Sequence, residues 1–411
     1  MTKRLASCLL PRAVLVLGAM LATFPMAARA QEPAPRPVRG VVYLDRNGDG
    51  QRQPGEPGLP GVVVSDQQDV VTTAGDGSFQ FQGPGGHRVV FVSVPDRYRS
   101  VGPFWRREDS TGAGLQFGLA SAQSPGDFTF VHASDTHLSP ASLARTQRLR
   151  ALVDSVHPAL VLITGDLVRD ALRVGETEAT SYYELVRENL AQFSAPVWTV
   201  PGNHEIFGIE RHRSLVSPSH PLYGKEMYRH YFGPDYYSFN YGGVHFIGLN
   251  TVDVDDLWYY GHVDSLQLAW LERDLALVPP NKPVITFDHI PFFSTSEQWS
   301  GYRDDPPAPT LIRVQGMTIF RHTVSNAQEV LALLRGHRYP IALGGHMHFR
   351  ESLRYQASGL TTRFEQAAAV VGPTEEGGTV FPSGITLYRV HDGEVDAGRF
   401  IALDPDSASA R

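Results

Sequence analysis

The stretch YPIALGGHMHF (339–349) places two histidines two positions apart at the end of an apolar run. The run YPIAL is typical of a short buried strand, which Gly344 and Gly345 bring to an end. Residues two apart on an extended chain point to the same side, so we expect the rings of His346 and His348 to face one region of space. Any partners of this pair must come from the ends of other strands.

Four more strand-like runs end in residues that commonly bind metals. The stretches concerned are SDTH (134–137), TGDLV (164–168), PGNHE (201–205) and FDHIP (287–291). Ligands of open α/β sheets bind beyond the carboxyl ends of the strands, and this is where each of these polar groups falls. A lone histidine after a strand is more often structural, but five such endings in one chain predict a common site.

The order of these motifs resembles the calcineurin-like metallophosphoesterase family. Its pattern is D-x-H, G-D, G-N-H-[DE], an isolated H and G-H-x-H, and this sequence supplies DTH, GD, GNHE, DH and GHMH. The resemblance covers residues 127–403. The family often continues G-D-x-x-[DN], whereas GDLVRD places Arg169 there and Asp170 one position later, so no role is carried over to either residue.

The resemblance implies a dinuclear metal site. One ion would be bound by Asp135, His137 and His348. The second would be bound by Asn203, His289 and His346, and the carboxylate of Asp166 would bridge the two ions. His204 resembles the catalytic histidine of the family, as an acid or as a stabiliser of charge, and Glu205 is either a residue that orients the site or an ordinary polar residue.

Such a site suits the hydrolysis of phosphomonoesters or phosphodiesters. Two ions about 3.5–4 Å apart can generate a bridging hydroxide near neutral pH and hold both oxygens of an in-line displacement. Nitrogen and oxygen donors fit Zn, Mn or Fe, as two divalent or mixed-valence ions, without selecting among them. The substrate class stays open: a phosphoester small molecule or an envelope component.

The fold class implied is α/β. The resemblance implies two packed mixed β-sheets flanked by helices (αββα), preceded by a small all-β sandwich. The predicted segments are a signal peptide (1–30), a linker (31–37), the sandwich (38–118), the phosphoesterase domain (127–403) and a disordered tail (404–411). Residues 294–323 form a long excursion between the fourth and fifth motifs, which is either a specificity loop or a decorative insertion.

The sandwich contains an acidic loop, DRNGDGQRQPGE (45–56). The stretch of about 38–100, which continues through VVTTAGDGSFQF (70–81), resembles SdrD B-like (Cna B-type) repeats and the N-terminal domain of some secreted calcineurin-like phosphoesterases. The resemblance implies a Ca²⁺ site formed by Asp45, Asn47, Asp49 and Glu56. The spacing also matches an EF-hand loop, but the flanks are strand-like. The alternative is a turn in which Asn-Gly and Asp-Gly provide left-handed backbone.

Residues 1–30 have the charge and hydropathy pattern of a secretory signal. Lys3 and Arg4 precede an apolar stretch that ends in Ala28-Arg29-Ala30, which predicts cleavage before Gln31 and a secreted or periplasmic enzyme without a transmembrane anchor after processing. The alternative is a membrane anchor. Cleavage removes four cationic residues and Cys8, the one cysteine, and takes the formal charge from −7 to −11. So acidic a protein is not expected to bind nucleic acid as a general partner.

Two other functions are compatible with parts of the sequence. The first is a cell-surface binding module whose phosphatase-like domain is catalytically inert, which the adhesin-type sandwich would suit. The second is a zinc amidase or peptidase, which also uses two metals and water but lacks this order of motifs. The complete set of ligand-type residues favours an enzyme that acts on phosphoesters.

Overall fold

The computed structural model describes residues 37–83, 86–108, 114–302, 309–357 and 359–404. The predicted signal peptide, nearly all of the linker and the tail beyond Asp404 lie outside the described residues. Within these ranges, no helix is both long and apolar enough to cross a membrane.

The amino-terminal strands form two four-stranded sheets, as their short alternating apolar runs predict. In chain order they are β1 (Val38–Leu44), β2 (Val63–Ser65), β3 (Val70–Thr72), β4 (Ser78–Phe81), β5 (Val89–Val92), β6 (Tyr98–Ser100), β7 (Trp105–Arg107) and β8 (Leu115–Ser121). The sheets have the orders β4-β1-β8-β6 and β3-β2-β5-β7. Val42, Phe79, Val90 and Phe117 belong to the core between them.

Eighteen further strands follow within the described residues. They are β9 (Phe128–Ala133), β10 (Leu160–Thr164), β11 (Val197–Val200), β12 (Tyr237–Tyr241), β13 (Val244–Gly248), β14 (Val252–Asp255), β15 (Trp258–Gly261), β16 (Pro283–Phe287), β17 (Leu311–Val314), β18 (Met317–Phe320), β19 (Arg338–Gly344), β20 (Glu351–Ala357), β21 (Leu360–Gln366), β22 (Thr374–Glu376), β23 (Thr379–Phe381), β24 (Gly384–His391), β25 (Glu394–Val395) and β26 (Arg399–Ala402).

Seven α-helices are described among these strands. They are α1 (Leu143–Val156), α2 (Glu176–Leu190), α3 (Arg211–Ser214), α4 (Glu226–Phe232), α5 (Ser265–Leu275), α6 (Ser296–Ser300) and α7 (Ala327–Leu334). A single 3-10 turn, Asn203–Glu205, follows β11.

Two six-stranded mixed sheets form the centre of the second region. The first has the order β11-β10-β9-β24-β25, with β26 paired to β24, and the second has the order β12-β13-β16-β19-β21-β20. Strands β9, β10 and β11 run parallel, as do β13, β16, β19 and β21. The carboxyl ends of parallel neighbours meet at one edge of a sheet, which is where the predicted ligands fall.

Strand alternation divides the core into layers. On β10, Leu160 and Leu162 pack with the second sheet, whereas Val161 and Ile163 pack with α1 and α2. Helices α5 and α7 cover the second sheet with residues such as Trp270. The order helix, sheet, sheet, helix is the predicted αββα architecture.

Two helices begin later than their sequence suggests. The pattern SPASLARTQRLRALVDSV (139–156) predicts Ser139 as the N-cap of α1, but the helix begins at Leu143. Ser139 lies in the preceding turn, where its hydroxyl oxygen is 3.3 Å from Ser142 Oγ and its backbone N–H donates to the same oxygen (2.9 Å). The spacing of Ser325 and Gln328 predicts Ser325 as the N-cap of α7, but its hydroxyl donates to the Gly261 carbonyl (2.9 Å) and the cap position falls on Asn326. In both cases another hydrogen-bond partner engages the serine side chain.

The sandwich packs directly on the phosphoesterase region. All described residues belong to one compact unit, and Phe91 of β5 packs within the same core as Trp270 of α5 (6.3 Å between ring centroids). A buried polar cluster completes the contact: the Gln67 amide donates to Asp235 Oδ1 (3.0 Å), and Arg229 donates to both oxygens of Asp235 (2.9 and 2.8 Å). The regions on either side of the predicted boundary at residues 118–127 therefore share a packed interface.

We expect Asp235→Asn to lower the free energy of unfolding by about 3 kcal/mol, because the buried Arg229 guanidinium loses its buried carboxylate and keeps the half-exposed one of Glu226 (2.7 Å). Chemical denaturation followed by fluorescence measures this. Asp69→Asn is the matched control, since Asp69 lies 3.8 Å from Arg273 in a half-exposed pair of the same interface and such a pair contributes about 1 kcal/mol or less. Equal losses for the two variants would contradict a buried interfacial ion pair.

Candidate metal centre

The predicted ligand residues come together at the carboxyl ends of five strands from both sheets. Asp135 and His137 follow β9, Asp166 follows β10, and Asn203 and His204 lie in the 3-10 turn after β11. From the second sheet, His289 follows β16, and His346 and His348 follow β19.

One group of donors consists of Asp135, His137, Asp166 and His348, whose ligand atoms lie within 4.8 Å of one another. His348 Nε2 lies 3.1 Å from Asp135 Oδ1 and 3.2 Å from His137 Nε2. His137 Nε2 lies 3.6 Å from Asp166 Oδ2.

A second group consists of Asp166, His289 and His346, again within 4.8 Å. His289 Nε2 lies 3.3 Å from Asp166 Oδ2, 3.1 Å from Asn203 Oδ1 and 3.2 Å from His346 Nδ1. Asp166 is thus the member that the two groups share. The carboxylates and imidazoles divide as the family resemblance implies, and Asn203 lies beside the second group through its contact with His289.

Backbone strain accompanies this convergence. Five of the predicted ligands have left-handed backbone, with φ of 54° at Asp135, 40° at His137, 49° at Asp166, 71° at His346 and 62° at His348. This region is uncommon for residues other than glycine and costs of order 1–3 kcal/mol at each position. These residues follow β9, β10 and β19, so three of the five strand-end loops carry this strain.

The loops also approach one another closely at two glycines. A Cβ on Gly202 would collide with Asp166 Oδ1, and a Cβ on Gly345 would collide with Ser134 Oγ. Glycine is therefore needed in both PGNHE and GGHMH for the strand-end loops to meet.

Glu205 ties two of these loops together. Its fully buried carboxylate accepts backbone N–H groups of Gly202 (2.6 Å), Asp166 (2.9 Å) and Val168 (2.9 Å). Burial and the charge of Asp166 raise the pKa of Glu205 to about 8, while the backbone donors act in the opposite direction. Of the two interpretations of Glu205, the contacts match a residue that orients the site.

The acidic members are held in their charged form. Burial acts to raise the pKa of Asp135, but the adjacent His348 lowers this pKa below its ordinary value. Burial acts in the same way on Asp166, but His289 and His204 lower its pKa well below the ordinary range. In return, Asp166 overcomes burial and raises the pKa of His289 to about 9. A cluster that stabilises positive charge so strongly is suited to cations.

Two other rings are held neutral. Burial, with the neighbouring His204, lowers the pKa of His137 to about 4, and burial with His322 lowers that of His346 well below its ordinary value. Neutral imidazole is the form that binds metal.

The donor set fits a pair of metal ions. Asp135 Oδ1 is buried without a hydrogen-bond donor, although the His348 ring nitrogen lies 3.1 Å away. Ring nitrogens of two histidine pairs also face each other at 3.2 Å. Carboxylate, amide and imidazole donors of this kind suit Zn, Mn or Fe.

His204 lies beside the donors without belonging to either group. Its backbone N–H donates to Asp166 Oδ1 (2.8 Å), and its Nδ1 lies 2.6 Å from the Arg169 carbonyl. A carbonyl can only accept, so Nδ1 carries a proton and Nε2 is left free to face the cleft, 3.9 Å from Asp166 Oδ2.

A cleft of about 350 Å³ opens over the centre. Its described walls include Tyr259, Phe320, Met347 and Phe349, with Glu376 as an acidic member, and no lysine or arginine of the described residues lines it. The excursion 294–323 supplies Ser296, Thr310, Phe320 and His322 to these walls. These wall residues favour the interpretation of the segment as a specificity loop over that of an insertion without a role in the site.

His322 was not predicted as a site residue. Its Nδ1 lies 2.7 Å from His346 Nε2, and the two rings stack with centroids 4.9 Å apart. The sequence signal was present but weak: His322 follows the strand-like run MTIF, as the other site histidines follow theirs.

The loop of Asp45, Asn47, Asp49 and Glu56 lies in the sandwich, after β1. Its side-chain oxygens accept backbone N–H groups: Asp45 from Gly48 and Gly50 (2.6 and 2.8 Å), Asn47 from Asp49 (3.1 Å), and Glu56 from Arg46 and Gln53 (2.9 Å each). Within the described part of the chain, groups of three acids or histidines converge only at the strand-end centre. These hydrogen bonds to backbone N–H groups match the alternative in which residues 45–56 form a turn. They give no support to the predicted Ca²⁺ site, which stays a prediction.

The family model for the calcineurin-like phosphoesterase matches residues 128–350, which is more than half of the 411 residues. The chain therefore belongs to the calcineurin-like phosphoesterase family. The predicted family and fold class are confirmed, and membership of this family supports the prediction of a hydrolase that acts on phosphoester bonds.

Among individual proteins, the chain is similar to a 3′,5′-cyclic-nucleotide phosphodiesterase of Nostoc sp. (strain PCC 7120 / SAG 25.82 / UTEX 2576), with 27% identity over 219 residues. The match covers 52% of this chain and 63% of that enzyme, so the chain spans less than two thirds of its length.

Two solved structures show a remoter likeness. A dimetal phosphatase from Danio rerio has 16% identity and a TM-score of 0.43, over 67% of this chain and 99% of that one. GAP50, the anchor in the inner membrane complex of Plasmodium, has 10% identity and a TM-score of 0.41, over 68% and 85%.

We expect the purified protein to bind two transition-metal ions per chain and Asp166→Asn to bind fewer than one, because Asp166 is common to both donor groups. Metal content after loading and gel filtration, measured by mass spectrometry, tests this. Asp170→Asn, in the same loop but paired with Arg173 (3.1 Å), should retain two ions. Two ions in Asp166→Asn would refute the shared carboxylate.

Proposed function

We propose that the protein is a metal-dependent phosphoesterase that hydrolyses phosphodiesters in preference to phosphomonoesters. The observation that carries this proposal is the convergence of six donors into two groups that share Asp166. Asn203 Oδ1 lies 3.1 Å from His289 of the second group, and His204 lies beside the donors in an open cleft. The alternative of an inert binding module has no contact in its favour, since an inert domain would not need the complete donor set.

The donors would hold the cations as the grouping indicates. Asp135, His137 and His348 would hold one ion, and Asn203, His289 and His346 the other, with Asp166 contributing to both. Bound there, two such cations supply Lewis acidity toward water and toward a phosphoryl oxygen. Glu205 and the left-handed turns keep the donors in place before substrate arrives, so that little reorganisation is needed during reaction.

His204 would act on the leaving group. Its Nδ1–H is committed to the Arg169 carbonyl, so a proton gained by the ring is carried on Nε2, which faces the cleft. From there it can pass to the oxygen that departs from phosphorus, which leaves the neutral ring held by the same Nδ1 hydrogen bond.

The cleft supports a diester as the substrate. A monoester carries up to two negative charges at neutral pH and a diester carries one, and the described walls offer Glu376 but no lysine or arginine to a second charge. The apolar side chains Tyr259, Phe320 and Phe349 suit a second ester group. The Nostoc relative is named for its action on 3′,5′-cyclic nucleotides, and these diesters are therefore included as candidate substrates.

We also propose that the enzyme acts outside the cytoplasm, on a soluble phosphodiester or on an envelope component. The support for this is the charge and hydropathy pattern of residues 1–30.

We expect His204→Ala to lower kcat about 10²–10⁴-fold on a diester with an alkoxide leaving group, such as 3′,5′-cyclic AMP, because such a group needs a proton. The loss should be much smaller with bis-p-nitrophenyl phosphate, whose leaving group departs as a stable anion. Wild type should hydrolyse bis-p-nitrophenyl phosphate with a higher kcat/KM than p-nitrophenyl phosphate.

Steady-state kinetics after loading with Mn²⁺, Zn²⁺ or Fe²⁺ give these values, with metal content measured in parallel as the control. Equal losses on the two diesters would assign His204 to charge stabilisation instead of proton donation. Faster turnover of the monoester would contradict the substrate preference, and no turnover of any phosphoester would contradict the proposed function.

For the location, we expect the protein secreted by a Gram-negative host with a Sec pathway to begin at Gln31. N-terminal sequencing of the protein recovered from the periplasm or medium tests this. Recovery of uncleaved chain in the membrane fraction would favour the anchor alternative.

A further inference from the structure

The segment 309–323, which contains the β17–β18 hairpin, brings an additional histidine to the candidate metal centre. His322 follows β18, and its Nδ1 lies 2.7 Å from Nε2 of His346. The two rings stack at 27° with centroids 4.9 Å apart. The contact joins the long excursion to the last motif of the family pattern.

The two nitrogens of His346 face different partners. Nδ1 lies 3.2 Å from His289 Nε2, inside the second donor group, whereas Nε2 faces His322. A neutral imidazole that offers the Nδ1 lone pair to a cation carries its proton on Nε2. That N–H then needs an acceptor, and the Nδ1 atom of His322 is placed to accept it.

The residues around His322 are held in place by several contacts. The neighbouring Arg321 is buried, and its guanidinium lies 4.2 Å from the centre of the Tyr259 ring. Tyr259 in turn contacts His346 edge-on (5.8 Å between centroids). The backbone is fixed as well, because Arg321 N–H donates to the Thr310 carbonyl and Gly261 N–H donates to the Arg321 carbonyl, both at 3.0 Å.

We propose that His322 is a positioning residue: by accepting the Nε2 proton of His346 it fixes the tautomer and ring orientation in which His346 Nδ1 binds the second cation. This inference rests on the proposed dinuclear function of the same site. Partners of this kind, which hold a ligating histidine by its other nitrogen, commonly change metal affinity about 10–100-fold when they are removed.

Two variants separate the hydrogen bond from the packing of the ring. His322→Phe keeps an aromatic ring that can stack on His346 but offers no acceptor. His322→Asn gives up most of the ring but can present its amide oxygen close to the position of Nδ1. Met317→Ala, an exposed position on the same hairpin (63% exposed), is the control for changes to this segment.

The measurement is the dissociation constant of each Mn²⁺ or Zn²⁺ ion, obtained by titration against a chelator of known affinity, with no substrate present. We expect His322→Phe to weaken binding of one of the two ions about 10–100-fold and to leave the other within about threefold. His322→Asn should recover most of the loss, and Met317→Ala should match wild type. Thermal unfolding of each metal-free variant checks that the fold is kept.

The outcomes distinguish the positioning role of His322 from the proposed function of the site. If wild type binds two ions and His322→Phe binds both as tightly, the positioning role is wrong while the proposed function stands. Equal losses in His322→Phe and His322→Asn would also overturn it, since packing and not the acceptor would then matter. If wild type binds no ion, the proposed function itself fails.

Discussion

The centre of this structure depends on one constraint: two carboxylates, four imidazoles and the Asn203 amide from five strand ends must be packed against one another in a largely buried space. Asp166 lies at the meeting point of the two donor groups. Such an arrangement is costly for a fold, because ionised groups lose water and five of the donor residues adopt left-handed backbone. Cations held by these donors would balance the buried carboxylate charge, so we expect the stability of the centre to depend on its metals.

The surrounding fold supplies the rigidity that this requires. Apolar strands from two sheets, with helices on both outer faces, fix where each strand ends. The Glu205 carboxylate binds the backbone of the loops after β10 and β11, and Gly202 and Gly345 allow those loops to touch their neighbours. The sandwich extends the same core through Phe91, so that the amino-terminal module is part of the support and not an appendage.

Much of this could be predicted from the sequence, because it rests on short-range patterns. Apolar runs that end in polar residues predicted that the seven donor-type residues and His204 would meet, and the family resemblance implied how they divide between two ions. What could not be predicted depends on contacts between distant residues. His322 meets His346 only because a hairpin folds back over the centre, and Gln67 meets Asp235 across 168 positions. Ser139 and Ser325 were expected to cap helices, but other acceptors in the folded chain engage them.

The most direct test of the central claim is a crystal structure of the metal-loaded protein with anomalous diffraction data. The account predicts two anomalous peaks about 3.5–4 Å apart, one beside Asp135, His137 and His348 and the other beside Asn203, His289 and His346, with the Asp166 carboxylate contacting both. A single peak that does not contact Asp166, or two peaks outside the strand-end loops, would contradict it.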